Sequence, residues 1–447
     1  MGRQKAIQSV KGMHDILQED QPWREFVFKK AKEILEDYDF ERIETPILEY
    51  TELFERGIGE GTDIVEKEMF SFKTKGGDEV TMRPEGTAPA VRAYIEHGMK
   101  NLPQPVKLYY HGPMFRHEQP QAGRTREHWQ IGAEVIGEGG FSTDAELIFV
   151  LWKIFEELGL KNRITLQLNS VGDSNCRPEY KKALKDYYKN KLKKVCSNCK
   201  ARYKKNVLMM LDCKEPECRE IVLKAPQIFD YLDDECKTHF KNILEFLEEA
   251  QVNYMVNPFL MRSFGYSTRT IFEVWPEEEE PEKIPQTQEI PQTPRLPASA
   301  GPALAGGERY DKLVELLGGG KTEAAGWAIG LERVIEFMKR KEIKIPKGRQ
   351  EPRVFLAQLG DLAKKRSLIL FEQFRKAGIP LKASFTRDSI KSQLRIANKI
   401  GVKFTLILGQ REALDGNIIL RDMESSVQET IPLEQITETV KKRLKER

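Results

Sequence analysis

The chain has 447 residues, of which 72 are Lys or Arg and 69 Asp or Glu, leaving a formal balance of +3. With 40% hydrophobic and 32% charged residues it has the composition of a soluble globular protein, which excludes an intrinsically disordered chain. No apolar run approaches the ~18 residues of a membrane helix, no signal-peptide h-region opens the chain, and Ala6 stands where a myristoylation motif wants Ser or Thr; a cytoplasmic protein of about two to four domains is expected.

An amphipathic helix is predicted over Gln21–Asp37, where Trp23, Phe26, Val27, Ala31, Ile34 and Leu35 recur at helical spacing. A strand over Asp39–Ile47 follows, and Pro46 suits its end or an edge. Strands at Val80–Arg83, Lys107–Arg116 and Trp129–Gly137, with a helix at Ala88–His97, are joined by turns and loops, which predicts mostly antiparallel pairing. Lys181–Lys205 then carries 11 basic residues against one acidic residue, Asp186. After a strand-like run at Arg269–Trp275, the segment Pro276–Pro302 holds seven prolines, the acidic run Glu277–Glu280, and an Ile-Pro-Gln-Thr repeat starting at Ile284 and Ile290. Proline fixes φ and lacks an amide donor, so this is expected to be an extended, solvated insertion within a hairpin. A helix at Leu331–Lys341 precedes a Pro/Gly-rich break at Ile345–Pro352. Beyond it come strand Val354–Leu359, helix Lys364–Ala377, strand Pro380–Ala383, helix Ser389–Ile400 and strand Phe404–Leu408, an alternation that predicts a small sheet with helices on its faces. Glu351–Arg447 has 19 basic and 12 acidic residues. The overall balance therefore conceals two basic regions, and a polyanion responds to such local fields. Solvated Lys-rich helix faces would give the same pattern.

The segment from Phe115 to Glu134 carries the most chemistry. Two strands flank a Gly/Pro loop, which places Arg116, Glu118, Arg124 and Arg126 near one hairpin mouth. Clustered guanidiniums repel one another unless an anion joins them, and their planar forks suit phosphate. Gln130 and Glu134, four residues apart on the return strand, share a face and could hold a cationic or amphoteric small molecule. A surface hairpin of solvated charges is the alternative. The six cysteines include Cys196-x2-Cys199 and Cys213-x4-Cys218, a spacing close to a four-thiolate zinc site. They sit in the Lys-rich stretch, expected to lie away from the chemistry, and ordinary reduced cysteines are the other reading. Gly319-Gly320-Lys321-Thr322 is no P-loop, because Glu315 stands where its first glycine belongs.

Phe115-Arg116-His117-Glu118 with Arg124 resembles motif 2 of the class II aminoacyl-tRNA synthetases; Glu41–Pro46 resembles motif 1, and Gly326–Arg333 motif 3. Lys11–Asp15, Arg83–Thr87, Gly306–Asp311, Lys391–Leu394 and Leu406–Gly409 extend the likeness to the histidyl-tRNA synthetase family over nearly the whole chain. The resemblance implies an α/β protein: an α+β catalytic domain at 1–345 built on an antiparallel class II sheet, and an α/β three-layer anticodon-binding domain at 352–447. The catalytic part would carry a helical insertion at about 175–251 and the Pro-rich loop 276–302. It implies ATP-dependent ligation of L-histidine to tRNA(His) through an adenylate, with Mg2+ accompanying ATP, and a homodimer.

By the same resemblance Arg116, Arg262 and Arg333 are catalytic, with Arg116, Glu118, Arg124, Glu332 and Arg333 on ATP. Histidine would be held by Glu85, Gly86, Thr87, Gln130, Glu134, Tyr266, Ser267 and Tyr310, and the tRNA acceptor end by Gln121 and Arg126. The chain departs from the family at one motif. Where the family reads Arg-Gly-Leu-Asp-Tyr-Tyr, this sequence has Arg262-Ser263-Phe264-Gly265-Tyr266-Ser267, and Glu308 replaces a glycine before Arg309. Two competing expectations follow: a regulatory subunit that binds without aminoacylating, or a class II ligase for another amino acid.

Overall fold

The computed structural model describes residues 6–59, 62, 64–118, 125–213, 215–262, 265–277, 302–346, 353–385 and 389–446. Most of the Pro-rich loop, together with Gln121 and Arg124, lies outside these residues. The chain divides into two compact units, Met1–Ile345 and Pro346–Arg447.

The first unit runs α1 (Gln21–Asp37), β1 (Glu41–Arg42), β2 (Leu48–Tyr50), α2 (Thr51–Ile58), β3 (Phe70–Lys73), β4 (Glu79–Met82), α3 (Thr87–Glu96), β5 (Val106–Phe115), β6 (Glu127–Ile136), α4 (Phe141–Glu157) and β7 (Ile164–Ser170). The insertion then contributes α5 (Arg177–Lys189), α6 (Ser197–Lys205), α7 (Pro216–Val222) and α8 (Asp234–Glu249). The unit continues with β8 (Tyr254–Val256), β9 (Thr268–Pro276), β10 (Ala305–Arg309), α9 (Leu313–Leu316), β11 (Ala324–Gly330) and α10 (Leu331–Arg340). Its main sheet has the order β1-β5-β6-β11-β10-β9-β7-β8. The six inner strands are antiparallel, and only the edge pairs β1–β5 and β7–β8 are parallel. A parallel pair needs a long crossover, and the insertion supplies one between β7 and β8.

Strand alternation gives this sheet two different faces. Ile131, Ala133 and Val135 of β6, Leu166 and Leu168 of β7, and Phe272 and Val274 of β9 join α1, α4 and α10 in the principal core. The intervening Gln130, Gly132 and Glu134 point the other way. Helix α4 escapes a periodicity reading because ten of its 17 residues are buried, and a helix apolar nearly all round has no amphipathic stripe. The strand expected over Asp39–Ile47 shrinks to Glu41–Arg42. Beyond it Arg83 Nη1 donates to both the carbonyl and the hydroxyl of Thr45 at 2.9 Å, so a side chain rather than a ladder satisfies that backbone. The insertion has a core of its own around Tyr180, Leu184, Tyr188 and Met210.

The second unit comprises β12 (Val354–Gln358), α11 (Asp361–Lys376), β13 (Leu381–Ala383), α12 (Ile390–Ile400), β14 (Phe404–Leu408), α13 (Gln410–Asp415), β15 (Asn417–Asp422), β16 (Gln428–Pro432) and α14 (Ile436–Lys445). Its sheet, β13-β12-β14-β15-β16, is parallel at β13–β12–β14 and antiparallel beyond. Leu370, Phe374, Ile436 and Val440 pack on one face and Ala397 on the other, giving three layers. Gln393, within the Lys391–Leu394 motif, is buried and clamps β12: its Nε2 donates to the Gln358 carbonyl at 2.7 Å and its Oε1 accepts from Gln358 N at 3.1 Å.

Candidate functional site

A cavity of about 650 Å3 opens over the polar face of the first unit's sheet. Its floor is organised by Glu134, which is completely buried. Its carboxyl accepts from Thr87 Oγ at 2.8 Å, from the Tyr110 hydroxyl at 3.0 Å and from the Tyr310 hydroxyl. No cation is among these donors. Burial pushes Glu134 up to about 8, against the lowering pull of those hydroxyls and with the nearby Glu85 carboxylate adding to the rise. Strand register explains the assembly: Tyr110 lies opposite Gly132, and Glu134 opposite Gly326. A Cβ at Gly132 or at Gly86 would fall 2.2 Å from the Tyr110 ring, and one at Gly326 1.7 Å from Glu134 Oε2, so these glycines are openings for functional side chains.

Glu85 stands at the start of α3, its oxygens accepting from Thr87 N at 2.5 Å and Ala88 N at 2.9 Å. The helix end thus supplies donors to a carboxylate that also lines the cavity. Tyr266 and Tyr310 close this end of the cavity, edge to face with ring centres 5.7 Å apart. Gln130 also lines the cavity, its Nε2 3.4 Å from His128 Nε2, and its buried Oε1 has no partner among the described residues.

Cations line the same cavity. Arg116 Nε donates to the Pro84 carbonyl at 2.8 Å and Arg333 Nη1 to the Ala303 carbonyl at 3.0 Å, and both side chains line the cavity. His128 between them is held down to about 3 by burial, with the Arg116 and Arg333 charges adding to the effect, so it is neutral. Glu332 lines the same wall, but its carboxylate is engaged: Arg24 Nη1 donates to it at 2.8 Å and Trp129 N at 2.9 Å. Arg126 donates to the Glu118 carbonyl at 3.4 Å and to the Lys11 carbonyl at 3.3 Å, tying the hairpin to the chain start.

The divergent motif forms a third corner. Arg262 Nε donates to Glu308 Oε1 at 3.0 Å, Nη1 lies 3.4 Å from Glu273 Oε1, and the Ser267 hydroxyl donates to Glu308 Oε2. Arg262, Glu273 and Glu308 all line the cavity. Burial raises Glu308, opposed by the Arg262 charge. Alternation along β10 separates Glu308 from Arg309: Glu308 lines the cavity, whereas Arg309 turns into the core and pairs with Asp144.

Of the residues singled out in the sequence, Glu85, Thr87, Arg116, Glu118, Gln130, Arg262, Tyr266, Tyr310, Glu332 and Arg333 are brought to one cavity. Glu134 lies beneath its wall, reached through three hydroxyls, and Gly86 backs Tyr110. Ser267 turns to Glu308 and is not part of the wall. The expectation that the cysteine cluster lies away from the chemistry is corrected: Cys196 and Cys213 line the same cavity. The fold returns the insertion across the sheet between β7 and β8, which its position in the sequence does not reveal. Tyr110, His128 and Glu273 are among the further wall residues. Only strand register could have nominated the first two, since each sits on β5 or β6 facing the Glu134 side.

Comparison with known proteins agrees with this geometry. The family profile of histidyl-tRNA synthetase matches residues 12–334, and that of the anticodon binding domain residues 354–443. The chain is 43% identical to a histidine–tRNA ligase of Dehalococcoides mccartyi, over 98% of this chain and all of the relative. It is 41% identical to one of Thermodesulfovibrio yellowstonii, over 97% of this chain and 98% of that protein. Apo histidyl-tRNA synthetase of S. aureus superposes with a TM-score of 0.74 at 31% identity, covering 97% of this chain and 99% of that one. Two profiles in chain order, whole-length relatives and a cavity that unites the motif residues lead to one conclusion: the chain belongs to the histidyl-tRNA synthetase family.

Proposed function

We propose that this chain, in the cytoplasm, ligates L-histidine to tRNA(His) in two steps within the cavity over Glu134. The observation that carries the reading is the polarity of that cavity. Its lining combines buried carboxyls and hydroxyls, gathered around a Glu134 whose own carboxyl burial lifts to about 8, with the arginines Arg116, Arg262 and Arg333. That arrangement suits an amphoteric amino acid facing a triphosphate. Glu85 and Thr87 receive the α-ammonium, which needs acceptors. Glu134 with its hydroxyl donors, Gln130, Tyr266 and Tyr310 surround the imidazole. Arg116 and Arg262 grip the α-phosphate, and Arg333 and Arg124 the outer phosphates, with Glu118 at the adenine amine. A histidine carboxylate oxygen attacks the α-phosphorus, the bond to the bridging oxygen breaks, and pyrophosphate leaves with the negative charge the arginines stabilise. A hydroxyl of the tRNA 3′-terminal ribose then attacks the adenylate carbonyl and AMP departs. Gln121 and Arg126 face the acceptor end in this reading.

Carboxylates of Glu273 and Glu336 line the cavity, hard oxygen donors that fit Mg2+ carried with ATP. The ion would neutralise phosphate oxygens. A homodimer is part of the proposal: Ile47, Leu48 and Tyr50, beside the motif 1-like segment, are 43%, 45% and 65% exposed, an apolar surface at the β2 edge of the three-stranded sheet β2-β4-β3. Amino-acid-dependent ATP–pyrophosphate exchange across all twenty amino acids tests the function. Exchange with histidine alone is expected. Exchange with another amino acid would transfer the specificity, and none with any would make the chain a binding subunit.

A further inference from the structure

Four thiols in the insertion converge without being bonded to one another. The Sγ atoms of Cys196, Cys199, Cys213 and Cys218 all lie within 4.8 Å of one another, and Cys196 Sγ is 3.8 Å from Cys213 Sγ. A tetrahedral zinc with Zn–S bonds near ~2.3 Å places its sulfurs about 3.8 Å apart. Backbone amides already point at the sulfurs: Cys196 N donates to Cys218 Sγ at 3.2 Å and Cys199 N to Cys196 Sγ at 3.4 Å. Such N–H donors are what thiolates need from their surroundings. Four thiolates and one Zn2+ leave a −2 centre, and helix α6, which carries Cys199, is basic, with Lys200, Arg202, Lys204 and Lys205.

We infer that Cys196, Cys199, Cys213 and Cys218 bind one Zn2+ as a closed tetrathiolate, and that the metal holds the insertion as a wall of the catalytic cavity. The positional half rests on what lies between the ligands. Asn198, Arg202, Asp212 and Glu215, together with Cys196 and Cys213, line the same cavity as Arg116 and Arg262. Arg202 is itself fixed by donating to the Met209 carbonyl at 3.0 Å, and Lys205 pairs with Glu66 of the sheet-bearing part at 2.6 Å. The short helices here have a small core of which the cysteines are members, so a metal supplies order that apolar burial does not. A second cluster, Asp173, Cys176, Asp233 and Cys236, is different. Its carboxylates serve the backbone, Asp233 Oδ1 capping α8 by accepting from Cys236 N and Asp173 Oδ1 closing the turn before α5 by accepting from Asn175 N, each at 2.8 Å, and no metal is assigned to it.

The test is elemental analysis of the full chain, as purified and after refolding with excess Zn2+, with Co2+ substitution read by thiolate-to-metal charge-transfer absorption. Roughly one Zn2+ per chain is expected, and Cys213→Ser and Cys218→Ser should lower it at least tenfold while Cys236→Ser keeps it. Zinc below about 0.1 per chain after refolding, no cobalt–thiolate band, or iron in zinc's place overturns the tetrathiolate zinc site. The wall is tested separately by limited trypsin digestion. The lysine-rich insertion should be cut at least about tenfold faster in the chelated protein, and Zn2+ should reverse this. Equal cutting rates with one zinc bound would overturn the positioning role.

Discussion

Two buried carboxyls lie on opposite faces of one sheet and are treated in opposite ways. Glu134, on the cavity side, is surrounded by hydroxyls, and burial lifts it to about 8. Asp144, on α4, is equally buried, but its lowered value reflects Arg309 and His239, whose charges and hydrogen bonds outweigh the cost of burial. Arg309 Nη2 reaches it at 2.6 Å, His239 Nε2 at 2.8 Å and Thr270 Oγ at 2.5 Å. The lesson concerns partners and not depth. A cation fixes a buried carboxylate as a structural ion joining α4, β10 and the insertion's α8. Hydroxyls alone leave a carboxyl whose proton and hydrogen bonds remain negotiable, which is what a site for a titratable imidazole requires.

Stability and activity should separate along that line. The largest effect on stability is expected from Asp144→Ala, which removes the main partner of the buried Arg309 and leaves it Asp311 alone among its carboxylate partners; it should cost about 3–5 kcal/mol, and thermal and denaturant unfolding measure it. Glu134→Gln should leave the fold nearly intact yet lower histidine-dependent exchange by roughly 10–100-fold, chiefly through KM for histidine. Equal losses of stability in the two variants would erase the distinction between the faces. At the third corner, Arg262→His should reduce exchange by about 10²–10³-fold with little change in melting temperature, as loss of a transition-state charge does.

Proton linkage sharpens the contrast. Glu134 has a raised folded value, so its contribution to stability is full below about 4.5 and is lost as pH rises through about 8. Asp144 has a lowered one; its contribution is present above about 3.8 and is lost as pH falls through its folded value. Melting curves across this range should flatten on the alkaline side for Glu134→Gln only. The smallest effect is expected from Glu308→Gly, which relieves Arg262 of one carboxylate and should lower KM for ATP about two- to fivefold. A rise instead would mean that Glu308 positions Arg262.

The motif residues were legible because each pairs a chemical type with a local pattern. Arg116 and Glu118 flank a hairpin, and Gln130 and Glu134 share a strand face by spacing alone. What escaped depends on contacts distant in sequence. Glu308 meets Arg262 across 46 residues, a contact only the fold makes. Arg309, inside a binding motif by position, serves the core because alternation along β10 turns it away from the cavity, onto Asp144, 165 residues before it. Strand β3 and helix α4 were missed because Phe70–Lys73 is mostly exposed and α4 mostly buried, so neither shows the contrast between faces that periodicity needs.

The wedge formed by Tyr110 has a consequence for attempts to change the accepted amino acid. Its ring fills the space that side chains at Gly86 and Gly132 would occupy, and its hydroxyl holds Glu134 from below. Enlarging either glycine displaces the ring, and trimming the ring releases the carboxyl, so no single exchange alters the floor's shape without altering its hydrogen bonding. A redesigned specificity has to replace three elements together, which puts a new substrate several mutational steps away and makes the partial intermediates poor enzymes for either.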